Sequence, residues 1–224
     1  MPFNLSPAAL ARTAPFAAFM ALLALRGYLP DSASLDSRWI YGLSVLVVDG
    51  LLAWYWRGYG ELARQNLPSA REALLSSAVG LIVFGLWINL DAPWMQLSEP
   101  SAGFLPLDLQ GQPIWPLIAV RWIGAALIVP VMEELFWRAF LMRWIESPSF
   151  ETVDPRRIGL KAIALSTFVF MLAHTLWLAA ILAGLAYAWL YRRTGKLWCA
   201  VIAHAVTNGV LGIWVVQTGQ WQFW

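Results

Sequence analysis

The sequence of 224 residues is 60% apolar and 12% charged, with a mean hydropathy of +0.62, whereas a soluble domain carries about 25% charged residues. That balance excludes an ordinary water-soluble globule and points to one integral membrane domain over 1–224. A formal net charge of +2 offers no field for nucleic acid, and the single cysteine, Cys199, excludes an intrachain disulfide and a cysteine-based zinc site.

A membrane helix needs about 20 mostly apolar residues. Seven stretches qualify: 8–29, 39–56, 73–90, 113–146, 160–176, 177–192 and 197–217. The first lacks a basic start and a small-residue cleavage site, so it reads as a retained helix rather than a signal peptide. The fourth is too long for one straight crossing at about 1.5 Å per residue, and Pro130 near its middle bends or breaks it.

Charge placement decides between one bent helix and two. Arg57, Arg64 and Arg71 put the 57–72 loop in the cytoplasm, and Asp91, Glu99 and Asp108 without a Lys or Arg put 91–112 outside. Arg156, Arg157 and Lys161, then Arg192, Arg193 and Lys196, return to the inside. An outside loop before 113 and an inside loop after 146 require an odd number of crossings. The expectation is therefore an all-α polytopic bundle of seven transmembrane helices with a cytoplasmic N-terminus. An eight-helix version, with 113–146 split, breaks the charge rule. Within it, 1–112 reads as accessory helices and 113–217 as a catalytic core.

The same topology predicts depths. Glu133 is 13 residues from position 146, His174 is 13 from Lys161 and His204 is 8 from Lys196, which is about 20, 20 and 12 Å into the bilayer. All three can reach one cavity. Ala180, Gly184 and Ala188 form a small-residue stripe suited to close helix packing. Arg121, deep in the long helix, reads as a partner for Asp49, with a substrate carboxylate as the alternative.

Ionisable side chains cost about 3 kcal/mol each in hydrocarbon, so those inside the apolar stretches carry the functional argument. Glu134 and Arg138 are four apart on one helix face and should pair. Glu133 then points about 100° away, where a partly desolvated carboxylate can act as a base toward water. Phe170 and His174 are four apart, the ring walling the imidazole. His204 and Asn208, again four apart, can direct two donors at a developing oxyanion. The blander readings are an interfacial charge cluster, a packing histidine and interhelical polar glue. The three motifs in order use both histidines of the chain.

This combination resembles the CPBP family of intramembrane glutamic-type proteases, related to the CAAX prenyl proteases. The family pattern is Glu-Glu-x-x-x-Arg, Phe-x-x-x-His and His-x-x-x-Asn or Asp, matched here by Glu133, Glu134, Arg138, Phe170, His174, His204 and Asn208. The match covers about 113–217, and the length also resembles the branch found beside exosortase and PEP-CTERM sorting systems. The resemblance implies an intramembrane endopeptidase cleaving near the terminus of a membrane-tethered or lipidated protein. By position, Glu133 and His174 would activate water, His204 and Asn208 would hold the oxyanion, and Glu134, Arg138 and Phe170 would support the site.

No cofactor is expected. Zinc at Glu133, His174 and His204 is the alternative, although the His-Glu-x-x-His signature of zinc proteases is absent. Expected partners are membrane lipids, a membrane-anchored substrate and a protein-sorting system, in a bacterial inner membrane. The competing functions are a non-catalytic scaffold or bacteriocin self-immunity protein of the same fold, and a proton-coupled transporter, which the lack of inverted repeats disfavours.

Overall fold

The computed structural model describes residues 6–28, 36–98 and 104–224. Among them, seven helices follow one another: α1 Pro7–Tyr28, α2 Trp39–Tyr55, α3 Ala70–Trp87, α4 Trp115–Glu146, α5 Leu160–Leu172, α6 Trp177–Thr194 and α7 Leu197–Thr218. No strand occurs among the described residues, only an isolated bridge between Leu107 and Pro113. The all-α polytopic bundle expected from the sequence is the fold observed. Leu29, Glu99 and the rest of 29–35 and 99–103 lie outside the described residues.

Polar ties at the two ends show that the helices alternate in direction. At one end Glu61, between α2 and α3, binds Arg12 of α1 at 2.6 Å and Arg143 near the end of α4 at 2.8 Å. At the same end Lys196, just before α7, meets Glu72 of α3 at 2.8 Å, and the Arg156 guanidinium donates to the Thr194 carbonyl at the end of α6. Glu72 also completes a capping box with Ser69 at the start of α3, satisfying backbone donors that the first turn leaves open. At the opposite end Arg38 donates to the carbonyls of Leu105 and Leu107, and the Trp177 indole to that of Trp94. The two ends of α4 therefore lie at opposite ends of the bundle, and Trp115–Glu146 is one continuous helix rather than two.

Five helices, α1, α2 extended to Gly58, α3, α4 and α7, are long and apolar enough to cross a membrane. The seven helices match the expected number, and the fifth is shorter than its apolar stretch. The fifth stretch was read as 160–176, but α5 stops at Leu172, after 13 residues, about 20 Å of rise. Its end is followed by a non-helical break at 173–176 before α6 begins. That break holds His174, so the shortening belongs to the site.

One core joins all seven helices, with Phe19, Tyr41, Val83, Met132, Phe170, Tyr187 and Ala203 each buried in it, one from each helix in turn. The first three helices are thus packed into the same core as 113–217. Helices α3 and α7 approach each other closely. Gly80 lies against the Ala203 carbonyl and Val206, and the Thr207 hydroxyl donates to the Gly80 carbonyl at 2.9 Å. Small residues permit such backbone contact where no hydrophobic force drives helices together. The Ala180, Gly184 and Ala188 stripe does the same on α6, with Gly184 facing Thr167 and Phe170 of α5.

A Cβ at position 80 would meet a carbonyl oxygen that belongs to a rigid helix. Gly80→Ala should therefore destabilise the bundle by about 1–3 kcal/mol, read as a lower unfolding temperature in detergent. Gly85→Ala, five residues on with nothing within 4 Å, should leave that temperature unchanged or raise it.

Candidate active site

The α4 helix is not a regular α-helix. Gly124–Ile128 and Leu135–Met142 adopt π-helical hydrogen bonding, on either side of an α-helical turn Val129–Glu134. The first irregularity follows from Pro130. The Val129 amide donates to the Gly124 carbonyl, so the next π-type donor, for the Ala125 carbonyl, would have to come from residue 130, which is proline and has no N–H. The Asn208 side chain of α7 supplies the missing donor, its amide nitrogen lying 2.9 Å from the Ala125 oxygen. One step along, the Trp122 indole donates to the Gly209 carbonyl at 2.9 Å. Pro130 thus bends the helix without breaking it and couples it to Asn208.

Behind the cavity sits a buried charge cluster. Glu134 is fully buried, with one oxygen 2.9 Å from the His204 Nδ1 and the other 3.2 Å from the Arg138 Nε. The Arg138 contact is a charge pair whose alignment falls short of a hydrogen bond. The guanidinium also donates to the Gly184 carbonyl at 3.2 Å and lies over the rings of Phe170 and Tyr187 at 4.9 and 5.6 Å. His204 stacks on Tyr187 with ring centres 5.1 Å apart, and the Tyr187 hydroxyl donates to Thr207.

Glu133 turns the other way, as the helical geometry requires, and lines the cavity. Among the described residues its side chain takes one hydrogen bond, from the Trp137 indole at 3.3 Å. His174 lines the same cavity from the break after α5, its Nδ1 2.8 Å from the Phe170 carbonyl. A carbonyl only accepts, so that Nδ1 carries the proton and the Nε2 of a neutral ring is left as an acceptor. Phe170, 4.4 Å away between ring centres, and Trp87, at 5.7 Å, fix the plane of the imidazole.

The cavity holds about 1120 Å³ of space not filled by atoms, its open mouth included. Glu133, His174, His204, Asn208 and Phe170 border it together, while Glu134 and Arg138 stand behind. Sequence reasoning missed Trp137, Tyr187 and Thr207, because an indole or hydroxyl four residues along an apolar helix looks like core until its partner is seen.

One expectation is overturned. Arg121 does not pair with Asp49. Its guanidinium lies 4.3 Å from the centre of the Tyr41 ring and 5.5 Å from that of Phe104, at the cavity wall. Asp49 is exposed on α2 and lines a different crevice with Leu52, Trp56 and Ile128. Tyr41 and Asp49 are eight residues apart on α2, about 12 Å of rise, so an arginine docked on the first cannot reach the second.

Glu134→Gln should remove the countercharge of a buried guanidinium and destabilise the protein by about 3–5 kcal/mol, measured as thermal unfolding in detergent. Glu133→Gln, at the cavity wall, should leave the unfolding temperature nearly unchanged. Equal losses would contradict the division of labour between these adjacent carboxylates.

Residues 114–210 match the family model described as type II CAAX prenyl endopeptidase Rce1-like. No curated protein and no solved structure matches the chain.

Proposed function

We propose that this chain, whose residues 114–210 belong to the Rce1-like family of type II CAAX prenyl endopeptidases, is an intramembrane endopeptidase that cleaves near the terminus of a membrane-tethered or lipidated protein. The family is a protease family, and with five span-length apolar helices the protein is an integral multi-pass membrane protein. The observation that carries the reading is the separation of the two glutamates. Glu133 opens on the cavity beside His174, while Glu134 is committed on both oxygens behind it.

In this reading Glu133 takes a proton from a water molecule held between its carboxylate and the Nε2 of His174. The hydroxide oxygen bonds to the scissile carbonyl carbon, and the negative charge moves to the carbonyl oxygen. Asn208 uses one N–H on Ala125 and has a second for that oxyanion. His204 joins as a donor in its doubly protonated form, with Nδ1–H on Glu134 and the opposite N–H toward the cavity. The C–N bond then breaks, and the proton held by Glu133 passes to the departing amine.

The reading uses no metal. Among the described residues no group of three His, Cys, Asp or Glu side chains is placed to hold an ion. Charge bias alone supports a cytoplasmic N-terminus, and the motif resemblance alone supports a bacterial inner membrane. The motif resemblance is the support for a substrate delivered by a protein-sorting system.

The test compares the termini of membrane proteins, by mass spectrometry, in cells carrying the wild-type chain or Glu133→Gln at matched expression. A precursor should accumulate only with the variant, with processing reduced by at least a hundredfold, the scale on which a general base contributes. Identical termini in the two strains, with a deletion phenotype still present, would favour the scaffold instead.

A further inference from the structure

Arg12, Arg138 and Arg143 are buried in the bundle, and each has a carboxylate partner. Arg12 and Arg143 share Glu61, and Arg138 has Glu134. Arg121 forms no ion pair with any described residue, and its Nε is buried without an acceptor. The rings of Tyr41 and Phe104 stabilise its charge, but a ring face does not accept an in-plane N–H. An unmet charged donor in a membrane protein is costly, and this one borders the cavity that holds Glu133.

Its position relative to Glu133 is set by the helix. Arg121, Ala125, Val129 and Glu133 all line the cavity at intervals of four. In a regular α-helix each such step drifts by about 40°, so three steps would carry the last residue to another face. The π segment Gly124–Ile128 has more residues per turn and offsets part of that drift. The cavity therefore has a cationic end and an anionic end on one helix face. Twelve residues separate them, about 18 Å of rise.

Resting on the protease reading, we propose that Arg121 binds a carboxylate of the substrate and so sets where the chain is cut. An extended peptide rises about 3.3 Å per residue, so a carboxylate on Arg121 puts the bond at Glu133 about five residues upstream. The opposite arrangement would press the anion against Glu133. The carboxylate is either the substrate's free C-terminus or an Asp or Glu side chain at that distance.

The test uses the purified full-length protein in detergent and a defined mixture of unstructured peptides made in three forms: free acid, C-terminal amide, and amide with Glu or Gln placed five residues beyond each cleavage position. Cleavage is read by mass spectrometry. Binding is read separately on Glu133→Gln by quenching of the tryptophans that line the cavity. A C-terminal site gives at least tenfold tighter binding of acid than amide, with cuts at a constant distance from the end. A side-chain site gives the same preference for Glu over Gln among the amides. In Glu133→Gln carrying Arg121→Gln that preference disappears, whereas Arg121→Lys keeps part of it because the charge remains. Thermal unfolding of each variant reports whether it is folded. If Glu133→Gln binds acid and amide alike and Glu and Gln alike, the assignment of Arg121 is wrong. If the preference is present but the wild-type chain cuts no peptide, the carboxylate site stands and the protease reading falls.

Discussion

The arrangement of the site depends on one buried carboxylate. Glu134 is the carboxylate that contacts both Arg138 and His204, and it joins α4 to α7 across the core. Taking such a group out of water costs several kcal/mol before its partners are counted. That cost is offset here by a guanidinium on one oxygen and an imidazole on the other. The consequence is directional. Once Glu134 holds the Nδ1 of His204, the ring can turn only its opposite edge to the cavity, and Tyr187 stacked on its face prevents it from tilting. Arg138, spread over Phe170 and tied to Gly184, extends the same network to α5 and α6. Phe170 in turn carries the carbonyl that sets the proton on His174. A single desolvated charge thereby determines the presentation of both histidines.

A second constraint comes from the backbone. Helices that remain α-helical throughout satisfy all their interior carbonyls and have nothing left for a neighbour. The α4 helix departs from that regularity where the site is built. Pro130 removes a donor, the π turn before it shifts the register, and the unmatched Ala125 carbonyl is taken by Asn208. The defect is local, is satisfied from another helix, and ties the amide of α7 to the wall of the cavity that Glu133 also lines. The π segment after Glu134 holds Trp137, which donates to Glu133 one turn back, and Arg138, which donates to Gly184 of α6. Irregular hydrogen bonding of this kind is frequent at functional sites, and here each irregularity has a named partner.

Much of this was legible in the sequence because it follows from periodicity and charge. Four-residue spacing brought Glu134 to Arg138 and set Phe170 beside His174, and the alternation of basic and acidic loops required one crossing over 113–146. What the spacing could not show was where a side chain goes when two partners compete for it. Arg121 looked like a match for Asp49, since both are charges in apolar stretches. The choice was made by the height of Tyr41 on α2, a tertiary fact. The end of α5 at Leu172 was hidden for a different reason. Nothing in Ala173-His174-Thr175-Leu176 is a helix breaker. The break gives up backbone hydrogen bonds so that His174 can enter the cavity, and hydropathy does not register that exchange. Pro130 was visible as a bend, but its pairing with Asn208 requires knowing which carbonyl loses its donor.

The distribution of charge within the cavity can be weighed. Glu134 and Arg138 cancel in contact, which leaves Glu133 as the carboxylate and Arg121 as the cation that face the cavity without an opposite charge beside them. With their backbones about 18 Å apart along the helix, and at an effective dielectric near 20, their mutual attraction is on the order of 1 kcal/mol. That is too little to neutralise either group or to draw the side chains together against the ring contacts of Arg121 and the indole hydrogen bond of Glu133. A shorter separation would have produced a salt bridge and a blocked cavity. A longer one would have placed one of them at an aqueous rim, where its charge is screened. Twelve residues of a helix whose register is corrected by a π turn keep both charges inside, on one face and unspent, so that each remains available to a molecule that enters between them.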